Sequence, residues 1–237
     1  MKLQEAFDRC CCNSVTYSKG FTLAEVLVTL GIIGVISAMT LPTLMKNHQR
    51  QVYVTQLRTV VSQLSQAVEM AIQEHNAMTM AETPYKLSNN QAAQQFLSRY
   101  LKIVQTCNTQ RTPCMASEYK LLDGNLFNDW AMEVSASSPC VSLANGAAVC
   151  MSDGFDTDEY RNGEYIWHDY VRLYIDVNGS QGPNVLGRDF FYAELYSDGK
   201  ISDSYTNDFS WACEGNESTY GSGCLSKIIV DGWKMDY

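Results

Sequence analysis

The chain contains 237 residues, of which 46% are hydrophobic and 18% charged, a composition that supports a sizeable core and argues against a disordered chain or a fibrous sequence repeat. Its net charge of −9 is divided unevenly, because residues 1–117 carry a net charge of +4 and residues 118–237 carry −13. The acidic C-terminal half disfavours contact with phosphates, so no direct nucleic-acid partner is expected.

An apolar segment of 25 residues, from Phe21 to Met45, contains a single charged side chain, that of Glu25. Its length suits a helix that crosses a bilayer. The segment continues into an amphipathic stretch without the cleavage site that follows an ordinary signal peptide, so we predict that it is retained as a membrane helix. An ionisable side chain inside such a helix indicates a function, although Glu25 could instead reach the membrane interface near the helix end.

A short motif opens this segment: Lys19-Gly20-Phe21-Thr22-Leu23-Ala24-Glu25-Val26-Leu27, followed by an apolar helix with Gly34 and Pro42. The motif resembles the class III signal of type IV prepilins and of type II secretion pseudopilins. The resemblance implies cleavage between Gly20 and Phe21 by a prepilin peptidase at the cytoplasmic face, followed by N-methylation of Phe21. The three adjacent cysteines at residues 10–12 would leave with the leader, residues 1–20.

The same resemblance assigns assembly roles to Glu25, Gly34 and Pro42. In the family, the Glu that matches Glu25 pairs with the N-terminal amine of a neighbouring subunit, and helices loosen between the positions that match Gly34 and Pro42. The pairing has a physical reason, because a carboxylate and an ammonium stranded in an apolar bundle each need an opposite charge. The alternative for Gly34 and Pro42 is that both are ordinary residents of a membrane helix, where they are tolerated.

The chain divides into four predicted segments: a leader at 1–20, a hydrophobic membrane and assembly helix at 21–45, an amphipathic half of the same helix at 46–78, and a globular head at 79–237. The amphipathic half has apolar side chains at spacings of three and four residues, which is typical of a helix with one buried face. These side chains are Leu57, Val61, Leu64, Val68, Ala71 and Ile72. A second helix is predicted at about Asn90–Gln105.

Residues after Cys107 are rich in Gly, Asn, Asp, Ser and aromatic side chains, and they lose the helical periodicity. Strands are predicted at Tyr170–Val177 and Phe190–Tyr196, and a hairpin is predicted around Asn145-Gly146. The predicted fold is therefore α+β, with a long N-terminal helical spine packed on an antiparallel β-sheet head whose loops are tied by disulfides.

Six cysteines outside the leader indicate disulfides and an oxidising compartment. Of the possible pairings, the short-range set is the first choice: Cys107–Cys114, Cys140–Cys150 and Cys213–Cys224. A two-residue turn at Asn145-Gly146 would place Cys150 opposite Val141, so the second pair requires a bulge or a longer loop. Structural zinc is the weaker alternative, because no Cys-x-x-Cys pair occurs and the three histidines are scattered.

The segment from Asp176 to Asp189 carries oxygen-bearing side chains at alternating positions, as a calcium loop does, with Asp176, Asn178 and Asp189 as candidate ligands. It lacks the acidic twelfth residue of an EF-hand, because Gly187 stands there. The segment also resembles a turn in the β-region of many pilin-like proteins, a region in which some pseudopilins bind calcium. A purely structural loop is the favoured interpretation, and no other cofactor is expected. An acidic cluster at residues 153–159 is interpreted as a solvated turn rather than a second cation site.

No signature of a hydrolase, nucleotide-binding enzyme or metalloprotease occurs, so no enzymatic activity is predicted. The resemblance implies a pilin-like structural subunit that polymerises through its N-terminal helix into a type IV pilus or a type II secretion pseudopilus, with a minor or tip subunit as a variant. The expected partners are other pilin-like subunits, the prepilin peptidase and an inner-membrane assembly platform. The alternative is a membrane-anchored extracytoplasmic binding module with an adhesin-like head.

Charge alone does not orient the chain in a membrane, because three basic residues lie on each side of the apolar segment. Orientation rests on the prepilin resemblance and on the cysteines, which both place the head outside the cytoplasm. The expected location is therefore a single pass through the inner membrane, followed by a filament or the cell surface.

Overall fold

The computed structural model describes residues 20–85, 90–108, 111–127, 138–151, 157–161, 164–168, 170–203, 213 and 223–237. The chain separates into two compact units, Met1–Lys46 and Asn47–Tyr237. The helices of the described residues are α1 (Leu23–Glu74), α2 (Asn90–Tyr100) and α3 (Cys224–Val230). The strands are β1 (Ile103–Asn108), β2 (Cys140–Leu143), β3 (Ala148–Met151), β4 (Thr157–Arg161), β5 (Glu164–His168), β6 (Tyr170–Asp176), β7 (Phe190–Tyr196) and β8 (Ile201–Ser202).

Helix α1 is 52 residues long and ends shortly before the predicted boundary at residue 78. The helix is terminated by Asn76, which adopts a positive φ of 51°. The amide of Ala77 donates to the carbonyl of Ile72 (3.0 Å), and the amide of Asn76 donates to the carbonyl of Gln73 (3.2 Å), which is the hydrogen-bond pattern of a Schellman motif. Asparagine tolerates the left-handed conformation that this motif needs, so it determines where the helix stops.

The first unit contains the apolar part of α1. Within the described part of the chain, α1 is the one helix that is long and apolar enough to cross a membrane, with a mean hydropathy of 2.0 over 18 residues. The helix is continuous through Gly34 and Pro42. None of this apolar window is buried inside the structure.

The second unit is built on a six-stranded antiparallel sheet with the strand order β1-β2-β3-β6-β7-β8. One face of the sheet shares a hydrophobic core with the amphipathic part of α1, in which Leu57, Leu64 and Val68 are fully buried. Val61 and Ile72 pack at the edge of this core and are partly buried. The predicted α+β architecture, a long helix with an antiparallel sheet, is therefore confirmed.

The opposite face of the sheet carries a second core, because successive residues of a strand point to opposite faces. In β3, Val149 lies in the first core, whereas its neighbour Cys150 lies in the second. Met115 and Tyr119, from the segment between β1 and β2, are buried in the second core. Both faces of the central strands are therefore covered, which explains why these strands are apolar at consecutive positions.

The predicted helix Asn90–Gln105 was too long, because α2 ends at Tyr100 and β1 begins at Ile103. Ile103 lies opposite Leu143 of β2. Ile103 and the next residue, Val104, are β-branched and fit the pleated surface of a strand better than a helix. The predicted strands Tyr170–Val177 and Phe190–Tyr196 correspond to β6 and β7.

The predicted hairpin is formed by β2 and β3, but its loop spans residues 144–146 rather than two residues. Gly146 has a φ of 90°, and its amide donates to the carbonyl of Leu143 (3.0 Å). The longer loop sets Cys140 opposite Cys150, and a disulfide joins them. The other two disulfides join Cys107 to Cys114 and Cys213 to Cys224, so the structure contains the three short-range pairs.

Helix α3 was not predicted, and its first turn is held by a distant side chain. Gly223 precedes the helix and supplies no side-chain cap. Instead, the carboxylate of Asp203 accepts hydrogen bonds from the amides of Leu225 (2.7 Å) and Ser226 (2.8 Å). Asp203 thus acts as the cap of a helix that begins 21 residues later in the chain.

Strands β4 and β5 form a separate two-stranded sheet. Of the acidic cluster interpreted as a solvated turn, Asp153 and Asp156 lie outside the described residues. Asp158 and Glu159 belong to β4, so the second part of that segment is a strand and not a turn. Paired backbone groups of β4 and β5 explain the difference, since Asp158 lies opposite Trp167.

Candidate functional site

The start of α1 is closed by a capping box that joins Thr22 and Glu25. The Thr22 amide donates to Oε2 of Glu25 (2.8 Å), and the Glu25 amide donates to Oγ1 of Thr22 (3.3 Å). The Thr22 hydroxyl also donates to Oε2 of Glu25 (2.8 Å). These bonds satisfy groups that the first helical turn leaves without partners, so they explain why the helix begins at Leu23. The spacing Thr-x-x-Glu signals this motif in the sequence, although the roles predicted for Glu25 were filament assembly or a position at the membrane interface.

The second oxygen of the Glu25 carboxylate is not used by the capping box. Both bonds from Thr22 end on Oε2, and Oε1 accepts no hydrogen bond from any described residue. The same carboxylate can therefore hold the start of the helix and bind a cation from another molecule. The capping role and the predicted assembly role of Glu25 are compatible.

The predicted cleavage position lies outside the helix. Gly20 and Phe21 both precede α1, and the side chain of Phe21 is 89% exposed. The bond between them therefore lies outside the hydrogen-bonded helix. Cleavage there would create a new ammonium group on Phe21, next to the capping box.

The apolar part of α1 presents an uninterrupted apolar surface. Its large apolar side chains are exposed, and they include Leu27, Leu30, Ile33, Ile36 and Leu41. Exposed apolar surface of this extent marks a contact with lipid or with another protein. Gly34 has no neighbouring atom within 4 Å of an added Cβ, so its small size leaves an open notch on this surface.

The candidate cation loop connects β6 to β7 and buries both of its aspartates. Asp176 accepts hydrogen bonds from the Tyr119 hydroxyl (2.5 Å) and from the Asn178 amide (3.1 Å). Burial is the main cause that raises the pKa of Asp176 to about 8, and the negative charge of Asp189 raises it further. The hydrogen bond from Tyr119 acts in the opposite direction.

Asp189 closes the far end of the same loop. Its carboxylate accepts hydrogen bonds from the amides of Val185 (2.7 Å) and Asn184 (2.8 Å). Burial raises the pKa of Asp189, and the two amides partly offset this effect. The side-chain amide of Asn178 donates to the carbonyl of Gly182 (3.1 Å), which braces the middle of the loop. The three predicted ligands therefore belong to one small buried network.

The oxygens of this network are of the kind that Ca²⁺ binds, but most of them already accept hydrogen bonds. Each carboxylate oxygen of Asp176 and Asp189 accepts a bond from within the chain. Oδ1 of Asn178 and Oδ1 of Asn184 are buried without a hydrogen-bond partner in the described residues. No group of three or more His, Cys, Asp or Glu that could hold a metal ion occurs in the described part of the chain. The contacts are sufficient for a structural turn, and calcium binding at this loop stays a prediction.

Comparison with known proteins identifies the N-terminal motif. Residues 16–41 match the family model of the prokaryotic N-terminal methylation motif, which is the signature of type IV prepilins and pseudopilins. No curated protein and no solved structure matched the chain. The matched region begins before the predicted cleavage position and includes most of the apolar segment. The motif supports a type IV pilin- or pseudopilin-like protein that is processed by a prepilin peptidase, and its apolar helix indicates membrane anchoring.

Proposed function

We propose that this chain is a structural subunit that polymerises through its N-terminal helix into a type IV pilus or a type II secretion pseudopilus. The observation that carries the proposal is the methylation motif at residues 16–41, which includes the start and most of the apolar part of one exposed helix. Such a helix can be buried either in a bilayer or in a bundle of similar helices. The bilayer holds the subunit before assembly, and the bundle replaces the bilayer in the filament.

The capping box supplies a mechanism for setting the register of that bundle. After cleavage, the ammonium of Phe21 and the carboxylate of Glu25 both lie at the apolar end of the helix. Because Oε2 of Glu25 binds Thr22, Oε1 is left to accept a hydrogen bond from the Phe21 ammonium of a neighbouring subunit. An ion pair in an apolar bundle tolerates little displacement, so the contact fixes the axial position of one helix against the next.

The second unit has the properties expected of a head domain that lies outside the cytoplasm. It contains three disulfides, which persist in oxidising compartments. The head is also strongly acidic, since residues 118–237 carry a net charge of −13. Similar charges on neighbouring heads repel each other, so a subunit used once at a filament tip is favoured over one repeated along the shaft.

The test is the chemistry of the mature N-terminus in the native membrane. Mass spectrometry is expected to show a chain that begins with N-methylated Phe21, and the same species should occur in sheared surface filaments or in an assembled pseudopilus. Gly20→Val is expected to keep the leader, because the bulky side chain blocks the cleavage site. Gly31→Val is the matched control, since neither glycine has an atom within 4 Å of an added Cβ.

Two results would contradict parts of this proposal. A mature N-terminus after residue 38 would indicate an ordinary signal peptide and would remove the helix on which the proposal depends. A methylated Phe21 in a protein that never enters a filament would instead favour the anchored binding module.

A further inference from the structure

A cleft in the second unit lies between the segment that follows β1 and the loop that joins β6 to β7. Its volume is about 510 Å³, which is within the usual range for a small-ligand site. The first wall consists of side chains from residues 112–120, and the second wall contains Ser180, Pro183 and Asn184. All of these residues belong to the second unit, so the cleft is complete without the membrane segment.

The two walls of the cleft are joined by backbone hydrogen bonds. The Lys120 amide donates to the carbonyl of Asn184 (2.9 Å), and the Leu186 amide donates to the carbonyl of Lys120 (2.8 Å). The carboxylate of Asp189 holds the second wall by accepting a bond from the Asn184 amide (2.8 Å), and the disulfide Cys107–Cys114 ties the first wall to β1. Walls that are fixed before a ligand arrives reduce the ordering cost of binding it.

The side chains of the cleft offer both hydrogen-bond donors and acceptors, and their charges cancel. Glu118 and Lys120 supply one negative and one positive charge, and neither forms an ion pair within the described part of the chain. The hydroxyl groups of Thr112, Ser117 and Ser180 can each donate and accept. A charged ligand would meet a like charge beside its opposite, whereas an uncharged ligand rich in hydroxyl groups matches this set.

The side chain of Asn184 lines the cleft and has an unused acceptor. Its Oδ1 is buried without a hydrogen-bond partner, although buried polar atoms usually have one. Its backbone adopts a positive φ of 58°, a conformation that asparagine tolerates better than most residues. Because Oδ1 has no partner, turning it towards the cleft breaks none of its bonds. A half-turn of the amide exchanges Oδ1 and Nδ2, so Asn184 can present either an acceptor or a donor to a ligand.

We propose that this cleft binds an uncharged saccharide. Sugar hydroxyl groups both donate and accept, so they can bond to the lining hydroxyls, to the Asn184 amide and to the two charged side chains. Pro113 and Pro183 are exposed in the cleft, and their rings provide apolar surface for the C–H face of a sugar ring. This binding role is additional to filament assembly and does not depend on it.

The test is saturation-transfer difference NMR on the full chain in a polyoxyethylene detergent, because maltoside detergents themselves carry a sugar. The probes are glucose, galactose, mannose and N-acetylglucosamine, each as the free sugar and as its methyl glycoside. Glucose 6-phosphate and triglycine are included as a charged sugar and a peptide. We expect transfer to at least one neutral sugar, and about 0.5 M salt should leave its affinity unchanged, since screening acts on charged ligands.

Two substitutions in the cleft have matched controls outside it. Glu118→Ala should lower the affinity for the sugar about tenfold, because hydrogen bonds to a charged group are the stronger ones. Asn184→Gly keeps the backbone at a positive φ and removes the amide, and it should lower the affinity about fivefold. Glu69→Ala removes an exposed carboxylate of α1, and Asn76→Gly replaces an asparagine with a positive φ of 51° at the end of α1. Both controls should leave the affinity unchanged.

Three results would overturn the proposal. The first is the absence of transfer to every neutral sugar, and the second is an affinity that Glu118→Ala and Asn184→Gly both leave unchanged. The third is transfer to triglycine or to glucose 6-phosphate alone, which would indicate a peptide or a phosphate ligand. Binding of a free sugar and its methyl glycoside alike would support the end of a glycan chain as the source, and binding of the free sugar alone would support a soluble monosaccharide.

Discussion

Glu25 has two separable contributions, one through its hydrogen bonds and one through its charge. The capping box needs only acceptor and donor groups at the two positions, and glutamine can replace glutamate in it. Pairing with the ammonium of a neighbouring Phe21 needs the negative charge. A substitution that removes the charge but keeps the shape therefore distinguishes the two roles.

We expect Glu25→Gln to keep the start of α1 and membrane insertion but to lose filament incorporation, because the neutral amide cannot balance the neighbour's ammonium. Thr22→Val is the reciprocal variant, since it weakens the capping box and keeps the charge. It should lower the stability of the first turn by about 1 kcal/mol and still allow assembly. Quantifying both variants in sheared filaments and in membranes checks this prediction, which fails if Glu25→Gln assembles normally.

Asp176 links the stability of the head to pH. Its folded pKa of about 8 is far above the ordinary value of 3.8, mainly because the carboxylate is buried. The folded state therefore binds this proton more tightly than the unfolded state does. The resulting stability is fully present below pH 4 and is lost as the pH rises to 8. Asp203, whose pKa burial raises to about 6, acts in the same direction.

We expect the melting temperature of the full chain in neutral detergent to rise as the pH falls from 8 to 5. Asp176→Asn should reduce this dependence, and Asp189 and Asp203, whose pKa values burial also raises, should account for the part that remains. The opposite contribution of Glu74, whose pKa the hydrogen bonds from Arg99 and Tyr100 lower to about 2, appears only at lower pH. Circular dichroism during heating provides the measurement. A melting temperature that falls from pH 8 to pH 5 would contradict the assignment of Asp176.

Calcium provides a separate test of the same loop. If Ca²⁺ binds Asp176, Asn178 and Asp189, it should raise the melting temperature more at pH 8 than at pH 5, because protonation competes with the metal. Asp176→Asn should then remove the calcium effect. A shift of 1 kcal/mol corresponds to about 2–4 °C for a domain of this size, which is measurable. An unchanged melting temperature at pH 8 would leave the loop as a structural turn held by its own hydrogen bonds.

The elements that were predicted correctly are those whose signal is local. The spacing of Leu57, Leu64 and Val68 identified the buried face of α1, and the alternation of β6 and β7 identified two strands. The loop of the β2–β3 hairpin was less certain, because Asn145-Gly146 suits both a two-residue turn and the longer loop. Pairing between strands selects one of these two loops, and the local sequence of the turn does not contain that information.

Helix α3 could not be predicted, because what stabilises it is not local. It has only seven residues, and its preceding Gly223 provides no side-chain cap. Its first turn depends on Asp203 and on burial of Leu225 and Ile228 in the core. These contacts exist only after β8 and α3 come together, so the short sequence of α3 does not reveal them.

Removing the distant cap of α3 should therefore destabilise the head. Asp203→Ala leaves the amides of Leu225 and Ser226 buried without acceptors, and we expect a loss of about 1–2 kcal/mol. Asp203→Asn keeps one acceptor and should lose less. Asp198→Ala is the matched control, because Asp198 accepts a similar backbone bond (2.9 Å, from Lys200) in an exposed turn. Equal melting temperatures for Asp203→Ala and Asp198→Ala would exclude a capping role.

The second unit is held together by two cores and three covalent links. The disulfides Cys107–Cys114 and Cys140–Cys150 lie in the second core, on the face of the sheet opposite α1. Cys213–Cys224 lies in the core that the sheet shares with α1. The first disulfide joins β1 to the segment that follows it, the second joins the neighbouring strands β2 and β3, and the third joins Cys213 to the first residue of α3. The cysteines predicted these links, whereas the second core was not predicted, because the segment that covers it has no regular periodicity.

All six cysteines of the mature chain are expected to be in disulfides, and the stability of the head should depend on them and not on zinc. The bridges close short loops, with sequence separations of 7, 10 and 11, so each contributes roughly 2–3 kcal/mol by restricting the unfolded chain. Alkylation of the denatured mature protein should label no thiol, since the cysteines at residues 10–12 leave with the leader. Reduction should lower the melting temperature in neutral detergent, and a zinc chelator under oxidising conditions should leave it unchanged. Six free thiols in the exported protein, or unfolding by the chelator alone, would show that the links are absent and would remove the support they give for a head outside the cytoplasm.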